Sequence, residues 1–247
     1  MNRLMKLTVT EATLLRRDVV AIVLPFALPL ALLVGFGSAA DFRVSDPDLG
    51  GLSAFDVFIV PVALVLVIAL LAIQVLPVTL STYRERGVLR RLATTPLHPS
   101  SVLLAQLLVH VGVLVASLGL TAIVAGVAFG VSAPRQLGWV VAVLAAGTLA
   151  LYSLGMAIAA LAPKASTATA YGMALFFPQL LLGGLMVPAE LLPTVLARTG
   201  EFTPVGATMN ALQGAWTGSG VEPLHLVVLV AWAAVTLTIA VTRFRWD

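Results

Sequence analysis

The side chains able to do chemistry are few in this chain of 247 residues, and the charged ones are densest in a single run. Arg84, Glu85, Arg86, Arg90 and Arg91 follow Tyr83 and precede Thr94-Thr95-Pro96-Leu97-His98-Pro99. Elsewhere the inventory is sparse. There is no cysteine, so disulfides and thiol chemistry do not apply. The three histidines, His98, His110 and His225, are scattered, and no mid-span carboxylates cluster, which leaves little from which to build a catalytic or metal centre. Lys6 is followed by Leu7 and Lys164 by Ala165, so neither completes the G-x-x-x-x-G-K-[ST] loop that cradles phosphates. The chain does not hydrolyse ATP by that route, and it is not expected to be an enzyme by itself.

The elements that must position the charged run are hydrophobic. Residues 57–83, 92–134, 136–163, 165–189 and 223–242 carry no Asp, Glu, Lys or Arg, and 19–40 is a sixth such stretch. About 20 apolar residues cross the hydrocarbon core as a helix. The pattern predicts an all-α membrane protein with six spans near 19–38, 55–82, 100–131, 137–162, 168–187 and 223–242. Composition agrees: 60% of residues are hydrophobic, 10% are charged and the mean hydropathy is +1.06. The net charge of +3 and pI near 9.8 reflect topology rather than nucleic-acid binding.

Eleven of the fourteen Lys and Arg residues fall in alternate gaps: Arg3, Lys6, Arg16, Arg17; Arg84, Arg86, Arg90, Arg91; Lys164; Arg243 and Arg245. Arg43, Arg135 and Arg198 occupy the other gaps with Asp41, Asp46, Asp48, Glu190, Glu201 and Glu222. The positive-inside rule then places both termini in the cytoplasm. Ser38-Ala39-Ala40 resembles a signal-peptidase site, but the long first apolar run and the roughly 18 residues before it favour an uncleaved span. Residues 1–18 read as an amphipathic interfacial helix, with Leu4, Leu7, Leu14 and Leu15 among Arg3, Lys6, Arg16 and Arg17. The cytoplasmic pieces are all too short for an independent domain.

Four basic side chains at mid-bilayer would cost on the order of 10 kcal/mol, so the run 84–91 lies at or beyond the interface. As a helix from Gly87 it sets Val88, Leu89 and Leu92 near one face and Arg90 and Arg91 near another, and Thr95-Pro96 ends it. Two readings follow: a short helix that transmits force from a cytoplasmic partner, or an ordinary basic loop. In the third span Ala105, Gly112, Gly119 and Gly126 recur every seven residues on one face. Internal packing explains this better than a dimer seam. Pro25, Pro29, Pro61, Pro77 and Pro178 favour kinks within spans.

The run Arg84-Glu85-Arg86-Gly87-Val88-Leu89-Arg90-Arg91-Leu92-Ala93-Thr94-Thr95-Pro96-Leu97 closely resembles the E-x-G-(T)-L-x-x-L-x-x-T-P-L segment of type-2 ABC exporter permeases, the drug and polysaccharide exporter family that includes daunorubicin-resistance-like membrane subunits. Phe55-Asp56-Val57-Phe58-Ile59-Val60-Pro61 is similar to that family's entry into the second span, with Val62 where glycine is usual. Leu154-Gly155-Met156-Ala157-Ile158-Ala159 is similar to its L-G-x-x-I-A pattern. Phe177 to Pro188 resembles its P-x-x-x-x-(S)-G-x-x-x-P signature, with Gly183 in place of serine. Ala105-Gln106 stands where many relatives have Gly-Lys.

The resemblance implies a coupling helix over about 84–97, with Arg84, Glu85, Arg86, Gly87, Leu89, Arg90, Arg91 and Leu92 as the contact with an ATP-binding subunit. It implies two copies of that subunit carrying ATP and Mg, no cofactor on this chain, and a second membrane subunit, identical or homologous. It also implies a re-entrant helical pair over about 188–220, with Gly183, Gly184, Pro188 and Pro193 at an outer gate. Leu66 and Leu70 on the second span, with Phe176, Phe177 and Gln179 on the fifth, are candidates for lining the pathway.

Gln74, Gln106, His110 and Gln179 are the deepest polar residues, and helix-to-helix hydrogen bonds or a pathway would account for them. No ionisable relay other than His110 sits at mid-span, which argues against ion coupling and for a hydrophobic or amphipathic cargo. The expected function is the permease subunit of an ABC exporter in a bacterial plasma membrane, a multidrug or lipid-like efflux system. The alternative is an ATP-independent secondary transporter or channel.

Overall fold

A computed structural model describes residues 8, 9, 11–13, 15, 18–87 and 99–243. Among them the regular structure is helical, apart from one isolated bridge between Ser45 and Ser53. Helix α1 is Val19–Gly37, begun by the Asp18 carboxylate, which accepts from the Ala21 N–H at 3.1 Å. The continuous helix α2, Phe55–Glu85, follows, and then α3, Pro99–Phe129. Next come α4, Leu137–Leu161, and α5, Ala165–Leu182. Two short helices, α6 (Thr194–Glu201) and α7 (Pro204–Thr217), precede α8, Pro223–Arg243.

Among the described residues four helices are long and apolar enough to cross a membrane: α2, α3 over Leu104–Phe129, α4 and α8. Of the other two expected spans, α1 is a shorter apolar helix over Ala21–Gly37. Helix α5 has 18 residues, about 27 Å of rise, and opens on the polar Ser166, Thr167 and Thr169.

Sequence reading carried the fifth span to residue 187, but α5 stops at Leu182. Gly184 takes φ +77°, and the Leu185 and Gly184 N–H groups turn back onto the Leu180 and Leu181 carbonyls at 2.9 and 3.3 Å. That is a Schellman stop, which a periodicity argument does not see.

Helix α2 is the axis of the bundle. Residues 60–73 contain no charged or polar side chain and all are buried. A helix apolar all round is one enclosed on every side, and α1, α3, α4, α5 and α7 all pack on α2. Its hydrogen bonding switches to π type over Phe55–Ile59 and again over Leu70–Val75. The prolines explain where neighbours must supply donors. Pro29 cannot return a bond to the Pro25 carbonyl, and the Ser117 hydroxyl of α3 donates there at 2.6 Å. Pro61 leaves the Val57 carbonyl without its helical donor, and the Gln213 amide of α7 donates to it at 3.3 Å.

The start of α2 is anchored by Asp56, which is buried. Its Oδ2 accepts from the Ser53 N–H at 2.9 Å and the Ser53 hydroxyl at 2.6 Å, while Oδ1 accepts from the Ser132 N–H at 2.9 Å. One carboxylate thus ties two loops to the helix. Asp56→Ala strands three donors and is expected to cost about 2–4 kcal/mol. The check is a lowered melting temperature in detergent, and an unchanged one counts against this role.

Helix α7 runs antiparallel to α4. The Arg135 and Gln136 N–H groups donate to the Trp216 and Ala215 carbonyls at 3.2 and 3.1 Å, while Thr208 fills the space beside Gly147 deeper along α4. Arg135 also donates to the carbonyls of Thr217 (3.0 Å) and Gly50 (2.6 Å), placing a cation at the carboxyl end of α7. Helix α8 packs along α4, with a buried Thr236-to-Ser153 hydroxyl bond of 2.7 Å. The glycine face of α3 departs from expectation. Among the described residues no atom of a neighbouring element lies within 4 Å of where a Cβ on Gly112, Gly119 or Gly126 would sit, so these three glycines are not packed inside the chain, whereas Ala105 is buried.

Candidate functional site

The end of the bundle that holds the charged run is built around the last turn of α2. Tyr83, Arg84 and Glu85 are consecutive and project to three different neighbours. Tyr83 donates its hydroxyl to Glu11 Oε2 at 2.7 Å. Glu11 lies in the N-terminal segment, whose described residues are helical, and it is buried. Leu15 of the same segment packs with Ala21 and Val109, so the segment is seated on α1 and α3. The remaining residues of the expected 1–18 helix lie outside the described ones.

Arg84 and Glu85 both engage the turn between α4 and α5. Arg84 Nη1 donates to the Ala162 carbonyl at 2.9 Å, and Ala162 is the carboxyl-terminal cap of α4. Glu85 Oε2 accepts from the Ala165 N–H at 3.1 Å, and Ala165 is the first residue of α5. A helix presents partial negative charge at its carboxyl end and partial positive charge at its amino end. The turn therefore displays both signs side by side, and the adjacent cation and anion of α2 match them in order. Arg84 is half-buried and Glu85 exposed, and an exposed contact of this kind contributes only about 0.3–1 kcal/mol. Their effect is geometric, since together they fix the rotation of the α2 terminus against α4 and α5.

Beyond Glu85 the Arg86 N–H closes on the Thr82 carbonyl at 3.0 Å and the Gly87 N–H on Arg84 at 2.9 Å. Gly87 takes φ +65°, which ends the helix and redirects the chain. Arg86 is exposed. Leu89, Arg90, Arg91 and Leu92, with the rest of 88–98, lie outside the described residues. Helix α2 runs to Glu85 and Gly87 is its stop, and the helix expected onward from Gly87 lies outside the described residues.

Just inside this end sit two buried polar residues of α3. Gln106 lies beside the Tyr83 hydroxyl, and His110 Nδ1 is 2.9 Å from the Gln106 carbonyl oxygen. Tyr152 of α4 reaches the His110 carbonyl at 3.4 Å. Gln74 approaches Gly172 of α5.

The five candidate pathway residues do not share a surface in the single chain. Leu66 and Leu70 are enclosed within the α2 core, and Phe176 and Gln179 face inward from α5. Phe177 is 55% exposed, turned away from the core on α5 and edge-on to Phe176 at 5.7 Å. Of the four outer-gate candidates, Gly183 and Gly184 end α5, and Gly183 abuts the first turn of α7 at Val205 and Gly206. Pro188 and Pro193 are exposed and flank the 3-10 turn Ala189–Leu191 ahead of α6. Glu11 and Asp56 were not singled out from the sequence as contact residues. A carboxylate within an otherwise apolar or basic stretch is the signal that could have found both.

The model of the ABC-2 type transporter family matches residues 3–216 of this chain. No curated protein matches it.

Proposed function

We propose, given that this chain belongs to the ABC-2 type transporter family, that it is the permease subunit of an ABC exporter driven through the end of α2. The chain is a multi-pass membrane protein. The observation that carries the reading is the seating of Arg84 and Glu85 on the α4–α5 turn, immediately before the segment expected to meet an ATP-binding subunit. A push on 86–97 reaches three helices and the N-terminal segment at once.

In this reading α1 and α5 complete a set of six spans with both termini in the cytoplasm. The run 84–97 is the coupling element, with Arg84, Glu85, Arg86, Gly87, Leu89, Arg90, Arg91 and Leu92 as its contact set. Two ATP-binding subunits and a second membrane subunit, identical or homologous, complete the transporter. ATP and Mg belong to the partner. Helices α6 and α7 form the re-entrant pair at the outer side, with Gly183 and Gly184 where α5 meets it. The alternation between inward-open and outward-open states carries an amphipathic or hydrophobic compound outward across the bacterial plasma membrane.

The absence of native cysteine makes the orientation directly testable. A single cysteine at Arg86 is expected to react with a membrane-impermeant maleimide only after permeabilisation, and one at Gly51 in intact cells. The reverse pattern overturns the topology. For transport, everted vesicles are expected to accumulate amphipathic dyes only with ATP, and vanadate is expected to stop this. Dye flux through liposomes holding this chain alone contradicts the reading.

A further inference from the structure

The second π segment of α2, Leu70–Val75, ends two residues before Pro77. A π turn is a local break in α-helical hydrogen bonding, and proline removes the donor that would close on the carbonyl four residues earlier, here Ile73. The carbonyls of this turn meet glycine rather than side chains. Gly155 of α4 sits so close that a Cβ would overlap the Ala72 carbonyl oxygen. On α5, a Cβ at Gly172 would stand 2.8 Å from the Ile73 oxygen and 3.3 Å from Gln74 Oε1. Two helices therefore bear on the same turn of α2 chiefly through its backbone carbonyls, with the Gln74 and Leu76 side chains beside the two glycines.

On one side of this turn, residues 60–69 form a regular buried α-helix. On the other, 76–85 is fastened to the α4–α5 turn through Arg84 and Glu85 and to the N-terminal segment through Tyr83. The bundle thus has a fixed rod and a fastened lower body. They join at a turn where the hydrogen-bond register of α2 is interrupted, a proline follows, and two glycines bring neighbouring helices onto its carbonyls, although Leu71 and Ile73 themselves are buried in the core. The first π segment does not share this character, because the Val57 carbonyl beside Pro61 is held by Gln213.

We propose that residues 70–75 are the pivot of the transporter, with Gly155 and Gly172 as the positioning residues that form its bearing. In this account the partner's stroke tilts 76–85 together with the α4–α5 turn, while 60–69 stays in place. The inference rests on the proposed function in one respect, namely that a partner pulls on the end of α2.

The test is a spin-label distance between single cysteines at Leu161 and Val44, both exposed, in the complete transporter in lipid nanodiscs. Leu161 reports the lower body and Val44 the opposite end. The distance is expected to differ by more than about 2 Å between the ATP-free and the vanadate-trapped states. Pro77→Ala restores the missing donor and stiffens the turn, so the change is expected to fall by at least half. Gly172→Ala is expected to do the same by crowding the Ile73 carbonyl. Pro29→Ala in α1 serves as control and is expected to leave the change intact. A distance that does not move in the parent transporter overturns the pivot while the ATP-driven reading stands. A full-sized change in both Pro77→Ala and Gly172→Ala overturns it too. A chain that never associates with an ATPase overturns both readings.

Discussion

Glu85→Ala and Gly87→Pro are each expected to leave the protein inserted and bound to its ATPase while cutting ATP-dependent dye uptake by everted vesicles about tenfold or more. The two act on one joint by different means. Glu85 holds the amino end of α5 through the Ala165 N–H. Without it the α2 terminus loses one of the two contacts that set its rotation against the α4–α5 turn. Gly87 holds φ +65°, and proline, fixed near −65°, cannot adopt that value. The chain leaving α2 is then aimed elsewhere. A tenfold loss corresponds to about 1.4 kcal/mol of coupling, more than the exposed Glu85 contact contributes by itself, so the expected loss is that of a misdirected stroke and not of the contact energy. Hydrolysis of ATP should continue, because the proposed function puts that chemistry on a separate ATP-binding subunit. Wild-type uptake in both variants would remove the α2 terminus from the mechanism.

Gly183→Leu is expected to lower dye uptake at least tenfold with the complex still assembled. A Cβ at Gly183 would stand 2.6 Å from Val205 Cγ1 and 3.1 Å from the Gly206 N–H, both in the first turn of α7. Real Cβ atoms do not come as close as 2.6 Å, the Gln179 carbonyl at 2.7 Å closes the other side, and a leucine adds three further carbons. Overpacking of this kind costs about 1–3 kcal/mol and is relieved by backbone movement. The movement available is separation of α7 from the end of α5, at the place proposed to close the outer side of the pathway. The comparison with Gly184→Ala separates packing from backbone conformation. Gly184 has room around it but a φ of +77°, so alanine there strains the Schellman stop without pushing on α7. If Gly183→Leu transports normally, the contact between α5 and α7 has no gating role.

Much of the architecture follows from where charge is missing. The apolar run from Val57 to Ser81 reads as a long membrane-spanning helix, and α2 is that helix; that it is enclosed by its neighbours was not legible. The prolines were legible as sites of broken hydrogen bonding. Their compensation was not, since Ser117 and Gln213 lie 92 and 156 residues from the carbonyls they serve. The adjacent Arg84 and Glu85 stood out as charges, but their pairing with the two ends of the α4–α5 turn depends on a loop that carries only Lys164 as signal. The open glycine face of α3 shows the reverse limit. Spacing identifies which residues share a helix face, but not whether a neighbour covers it. Leu66 and Leu70 show the same limit, because a pathway position and a core position are both apolar.

The most direct test of the account places a photo-cross-linking amino acid at Arg86, the exposed residue just past the end of α2, in native membranes. Irradiation is expected to join this chain to an ATP-binding subunit, with the yield changing between ATP-free and vanadate-trapped membranes. Cross-links to lipid alone, in membranes where the chain still exports dye, would contradict it.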